Sequence, residues 1–138
     1  MVRITTSSLF PQPVNDFHRR WIINQRGSAN VVPSSGDSVY GFVYELSSKD
    51  EQSLDGYEGV PHNYDKNDKK VLPLELISDG ETEKRTIHAM VYIDRRTSPG
   101  VPAAEYIHRL NMAIKDGLQK GIPQSYFDKY FRPSVPIE

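Results

Sequence analysis

The stretch SVYGFVYELSSKDEQSLDGYEGVPHNY, Ser38 to Tyr64, constrains the fold more than any other part of the chain. Residues 39–46 carry β-branched and aromatic side chains in both alternation sets, Val39 and Val43 in one and Tyr40, Phe42 and Tyr44 in the other. A strand that is apolar on both faces needs cover on both, which predicts a place in the middle of a sheet. Ser48 followed three residues later by Glu51 is a capping-box pattern. Its hydroxyl and carboxylate satisfy orphan amides in a first turn, so a short helix is expected from Ser48. Gly59 supplies the left-handed exit that ends such a helix. Leu54 has to face the sheet for so short a helix to dock, and Glu58, four residues on, lies over the same face. Spacing therefore points Glu58 inward. The alternative is a solvated helix-terminal glutamate, the commoner fate of that residue type.

The length of 138 residues fits a single domain, 1–138, large enough to bury roughly two-thirds of its unfolded surface. Seventeen basic against 18 acidic residues give a net charge of −1, with no basic tail or stripe. No nucleic-acid partner is expected from that balance. The absence of cysteine excludes disulfides, thiol catalysis and thiolate metal sites. No apolar run approaches the roughly 20 residues that span a bilayer, and MVRITTSSLF lacks the apolar core of a signal peptide. A soluble, cytoplasmic protein without membrane contact is the expectation.

Upstream of the central stretch, residues 1–17 are weakly patterned: Val2 and Ile4 alternate before Pro11 and Pro13 break the pattern. Residues 19–24 and 28–33 read as two short strands around Gln25-Arg26-Gly27, and Ser34 to Asp37 as a turn, giving a meander with the central strand. Downstream, strands are expected over 70–77 and 85–93, joined by a hairpin turn at Asp79-Gly80. Pro73 argues for an edge position or a bulge in the first of them. After a loop over 95–102 the longest helix is expected over about 103–120, with Tyr106, Leu110, Ala113, Ile114 and Leu118 on one face and Gly121 at its end. A short helix over 123–131 precedes Pro133 and Pro136. Strands first and helices mainly last indicate an α+β protein with a strongly bent sheet or small open barrel.

The usual catalytic signatures are missing: no phosphate-cradling loop, no dinucleotide fingerprint, no GxSxG and no HExxH. His18, His62, His88 and His108 lie in separate elements without ligand spacing, so no metal and no cofactor is expected. YFDKYFRP, at helical spacing, reads as core packing rather than a base-stacking platform, and Arg95-Arg96 as a solvated loop. What is left is one inward carboxylate, Glu58, with Tyr64, Tyr92 and Tyr106 on three elements that can converge on it. Amphipathic core is the alternative for each tyrosine. A lone carboxylate suits a reaction in which the substrate carries its own nucleophile and the protein moves protons.

VYGFVYELSSKDEQSLDGYEGVPHNY resembles the γ-glutamylcyclotransferase superfamily, and RWIINQRGSANVVPSSGD before it is similar to the fungal branch. IHAMVYIDRRTSPGVPAAEYIHRLNMAIKDGLQKGIPQSYFDKYFRP resembles the final strand, loop and closing helices, so the match runs from about residue 16 to the end. The resemblance implies an α+β fold, a small mixed β-barrel-like sheet with helices outside. It implies catalysis by Glu58 as acid and base while a γ-glutamyl amide or peptide closes to 5-oxoproline and releases its amine. Tyr64, Tyr92 and Tyr106 match tyrosines that face the substrate. In one respect the chain departs from the family: nothing in MVRITTSSLFPQPVNDF matches the first strand, Tyr-Gly-Ser-Asn type loop and first helix. A shortened, weakly active chain is therefore expected, its open sheet edge covered by a second copy in a homodimer or by residues 1–8. A non-catalytic binding or assembly module, and a related acyl or ring chemistry through Glu58, stay as alternatives.

Overall fold

Residues Val39 to Tyr44 form a strand, as the end of a much longer one. In the computed structural model, which describes residues 2–4, 12–58, 64–73 and 87–138, strand β3 runs over Ala29–Glu45. It is preceded by β1 (Val2–Ile4) and β2 (Gln12–Ile23). The expected three-strand meander is thus a hairpin of two long strands. Ser34 to Asp37, expected as a turn, continues β3. Gly36 takes φ +85°, a conformation that bends a strand without ending it, and Ser34 Oγ donates to Asp37 Oδ2. Local turn chemistry is spent on a bend. In the same way β2 begins at Gln12 and passes through Pro13, near the start of a strand, where proline is tolerated; Pro11 lies outside the described residues. The hairpin turn stands where expected: Asn24 N donates to Ser28 O at 2.8 Å and Gly27 N to Asn24 O at 3.1 Å.

Strands β4 (Tyr64–Pro73) and β5 (Ile87–Asp94) pair antiparallel, from Tyr64 opposite Asp94 to Val71 opposite Ile87. β4 starts well before the expected Lys70. Its first residues, YDKNDKK, have almost no apolar alternation to reveal a strand, yet the backbone pairs along their whole length. Pro73 is buried at the described end of β4 and pairs with Val14 of β2, so it does not mark an edge strand. The expected turn at Asp79-Gly80 lies outside the described residues. The strand order is β1-β3-β2-β4-β5. β1 pairs parallel with β3 and antiparallel with β5, so the sheet is mixed and barrel-like, and its circuit of pairings passes through the three residues of β1. Those residues are one of the two covers expected for an open edge.

Among the described residues three helices complete the α+β fold: α1 (Ser48–Glu58), α2 (Ala104–Gln119) and α3 (Gln124–Tyr130). The chain divides into two compact units. The first, residues 1–17 and 40–95, contains β1, α1, β4, β5 and the adjoining parts of β2 and β3, with Val14, Val43, Val71, Leu72, Ala89 and Val91 buried. β2 leaves this unit at His18, which holds φ +62°, uncommon for a residue other than glycine.

The second unit, residues 18–39 and 96–138, is built on aromatic packing. Trp21 stacks on Phe131 at 3.8 Å between ring centroids, and Tyr126 and Phe127 are buried beside Phe131. Tyr126, Phe127 and Phe131 of YFDKYFRP are therefore core, as expected. The buried line of α2 is Leu110, Ile114 and Gly117, whereas Ala113 is exposed and Leu118 is 37% exposed. The predicted stripe misses Gly117 because glycine carries no apolar signal. A Cβ there would stand 2.6 Å from Phe127 Cζ, so the helix turns its smallest residue toward the aromatic ring. Gly121, at φ +95°, follows the end of the helix as expected.

Candidate functional site

Helix α1 carries the leading candidate and is started by a residue the sequence pattern missed. Ser47 Oγ accepts the Asp50 amide at 3.1 Å, which makes Ser47, not Ser48, the capping residue. Moving the cap back by one residue takes Glu51 out of the capping-box position, and its carboxylate accepts Lys66 Nζ of β4 at 2.9 Å instead. Asp55, four residues on, also accepts from Lys66 Nζ, at 3.1 Å to Oδ2. On its other oxygen Asp55 accepts a hydrogen bond from the Tyr92 hydroxyl. α1 ends on Glu58. Glu51, Asp55 and Glu58 are spaced by four and three residues, one stripe of the helix. The side chain of Glu58 lies outside the described residues, as does the expected exit at Gly59.

Register explains why the partners of α1 converge. Tyr64 stands opposite Asp94 and Lys66 opposite Tyr92, so these four share one face of the β4–β5 pair. Tyr64, Tyr92 and Asp94 are buried, at 6, 5 and 2% exposure. The Lys66 ammonium is held above the usual lysine range. The Glu51 hydrogen bond raises it most, partial burial works against that, and Asp55 adds to the rise. Lys66 is thus a fixed cation between two carboxylates of α1.

The structure brings Tyr64 and Tyr92 together on neighbouring strands and places the Glu58 backbone at the end of the helix that Tyr92 holds. Tyr106 sits in the first turn of α2, half-buried, in the second unit. Asp55 and Lys66 escaped the sequence analysis. The available signals were the Glu51/Asp55 pair at i, i+4 and the position of Lys66 two residues beyond Tyr64, but both look like ordinary surface charge. Among the described residues no three His, Asp or Glu side chains are grouped to hold a metal ion. Arg95 and Arg96 are exposed, as expected, Arg95 Nε lying 3.1 Å from Asp65 Oδ2. No helix among the described residues is long and apolar enough to cross a membrane.

Comparison with solved structures supports the same architecture. A structure of a gamma-glutamyl cyclotransferase matches with a TM-score of 0.66 at 20% identity, over 86% of this chain and 70% of that one. The crystal structure of an uncharacterized protein from Homo sapiens gives 0.66 at 21% identity, over 86% and 70%. The solution structure of an Arabidopsis thaliana protein gives 0.51 at 14% identity, over 78% and 69%. No curated protein matches the chain. The family model described as Gamma-glutamyl cyclotransferase, AIG2-like, matches residues 5–108, starting upstream of the residue 16 at which the resemblance begins and ending in α2. By that match, over most of its length, the chain belongs to the gamma-glutamyl cyclotransferase, AIG2-like family.

Proposed function

We propose that this protein cyclises a γ-glutamyl amide or peptide to 5-oxoproline and releases the amine, with Glu58 carrying protons and Tyr64 contacting the substrate. The carrying observation is that a helix ending in Glu58 is fastened, through Asp55, to Lys66 and Tyr92 on the strand pair that also bears Tyr64, in a chain of this family. The reaction needs no external nucleophile. The substrate α-nitrogen attacks its own γ-carbonyl carbon, a ring C–N bond forms, and the original amide C–N bond breaks. Of the three hydrogens on the starting ammonium, the ring nitrogen keeps one and two leave on the released amine. One carboxylate that accepts and then donates a proton is sufficient for this transfer. Ring closure supplies proximity, and well-oriented intramolecular reactions gain on the order of 7–11 kcal/mol from it.

The resemblance also assigns a substrate contact to Tyr106, tested by Tyr106→Phe with KM as readout. Tyr92 has its hydroxyl on Asp55 and is taken up below. The deciding experiment incubates the chain with a panel of γ-glutamyl amines and dipeptides and measures 5-oxoproline. Activity that disappears in Glu58→Gln, a near-isosteric change that cannot exchange protons, is the expected result. No product from any member of the panel would favour the non-catalytic alternative. Equal rates for Glu58→Gln and the parent would remove Glu58 as the catalyst.

A further inference from the structure

We infer that Asp55, Lys66 and Tyr92 form a positioning clamp that seats the last turn of α1 on β4 and β5 and thereby sets where Glu58 stands, a role that rests on the cyclotransferase function proposed above. Among the described side chains, little else holds helix α1. Of its described residues none is fully buried, and Leu54, the apolar one among them, is half-buried. Tyr92, by contrast, is a rigid post, 5% exposed and fixed in a paired strand, with its hydroxyl donated to Asp55. Lys66, on the neighbouring strand and directly opposite Tyr92, reaches both Asp55 and Glu51. Two carboxylates at i, i+4 would repel along the helix, and the ammonium between them turns that repulsion into a two-point attachment.

Asp55 is the residue at which both strands grip the helix, and it precedes Glu58 by three residues, less than one turn. The helical ladder is stiff over that distance, so where Asp55 is pinned decides where the Glu58 backbone lies. A proton carrier has to meet an attacking nitrogen and a leaving nitrogen in turn, and displacement of about 1 Å can cost on the order of a hundredfold in rate. This makes Tyr92 a positioning residue rather than a substrate contact, and gives Lys66 the same role.

The two roles predict different kinetics. In the full chain acting on γ-glutamyl dipeptides, Tyr92→Phe and Lys66→Gln should lower kcat by about ten- to a hundredfold with little change in KM. A Tyr92 that contacts substrate would raise KM and keep kcat, and that result overturns the inference. A second measurement does not depend on turnover. Hydrogen exchange of the amides from Asp55 to Glu58 should quicken by about fivefold or more in both variants while the β4–β5 amides keep their protection. His88→Gln, which removes an exposed pair with Asp68 farther along the same strand pair, should match the parent in both assays. Unchanged exchange in the last turn of α1 overturns the clamp whether or not the chain is active. Quickened exchange in a chain that makes no 5-oxoproline keeps the seating of the helix and removes the function proposed for it.

Discussion

The two units attach helices in opposite ways. Among the described side chains, α1, in the first, is held to its strands by an ammonium, two carboxylates and a phenol hydroxyl, and Leu54 is half-buried. α2 and α3, in the second, bury Leu110, Ile114, Gly117, Tyr126 and Phe127, and Phe131 behind them stacks on Trp21. Apolar burial is non-directional and large, roughly 1.5–3 kcal/mol for a fully buried side chain. Partly exposed ion pairs are directional and contribute about 0–1 kcal/mol each. The second kind of attachment specifies where a helix sits without holding it there strongly. Elements that carry binding and catalysis are commonly drawn from the less stable parts of a fold, and here the polar attachment is on the helix that ends in Glu58.

The largest expected effect tests the apolar side of this contrast. Phe127→Ala empties a site 3% exposed, in edge contact with Phe131 and against Gly117. It should cost about 3–5 kcal/mol in urea unfolding. Leu54→Ala, in the helix held by charge, should cost less than half as much, because the side chain is only partly buried and leaves a smaller void. Equal losses would break the comparison, since α1 would then rest on apolar burial after all.

An intermediate effect sharpens the account of how α1 starts. Ser47→Ala should cost about 1 kcal/mol, and Ser48→Ala, which removes no cap hydrogen bond in the structure, should be close to neutral. Thermal unfolding of the two variants side by side reads the difference. The reverse order would restore the cap at Ser48.

The contrast also explains what was legible in the sequence. The central strand, the turn at Gln25-Arg26-Gly27 and the closing helices announce themselves through apolar periodicity and glycine, the signals of the burial-driven parts. The family resemblance covered the fold and pointed to Glu58. Patterns failed where chemistry is spent unusually. Ser34 to Asp37 has turn composition, yet Gly36 bends β3 and Ser34 bonds Asp37 inside the strand. The start of β4 is so polar that pairing alone reveals it. Asn24 carries only the signature of a strand end, but it is buried and its Oδ1 accepts the Arg26 and Ser28 amides, at 3.0 and 3.1 Å. Asp55 and Lys66 were invisible for the same reason. A charge that seats a helix has the same sequence signature as a charge in water, and only the register of β4 against β5 tells them apart.

The smallest effect separates the two units by pH. In the second unit Asp37 accepts from Ser34 and the Tyr130 hydroxyl, which hold its carboxyl below the ordinary 3.8 against a smaller opposing desolvation. A depressed acid contributes stability above its unfolded pKa and loses it as pH falls through the folded value, so this contribution fades below 3.8. Lys66, in the first unit, is raised above 10.5. A raised base contributes fully below its unfolded pKa and loses that as pH rises through the folded value, so its contribution fades above 10.5. Both groups are partly exposed, and the effects should be small. They are isolated by differencing urea unfolding against Asp37→Asn and Lys66→Gln at each pH, which cancels the other carboxylates and the tyrosines. The parent's advantage over Asp37→Asn should shrink only in acid, and its advantage over Lys66→Gln only in alkali. A Lys66→Gln difference that stays constant through the alkaline range would mean that the ammonium contributes no charge interaction to α1, and among the attachments described above the hydrogen bond between Tyr92 and Asp55 would carry the seating of that helix.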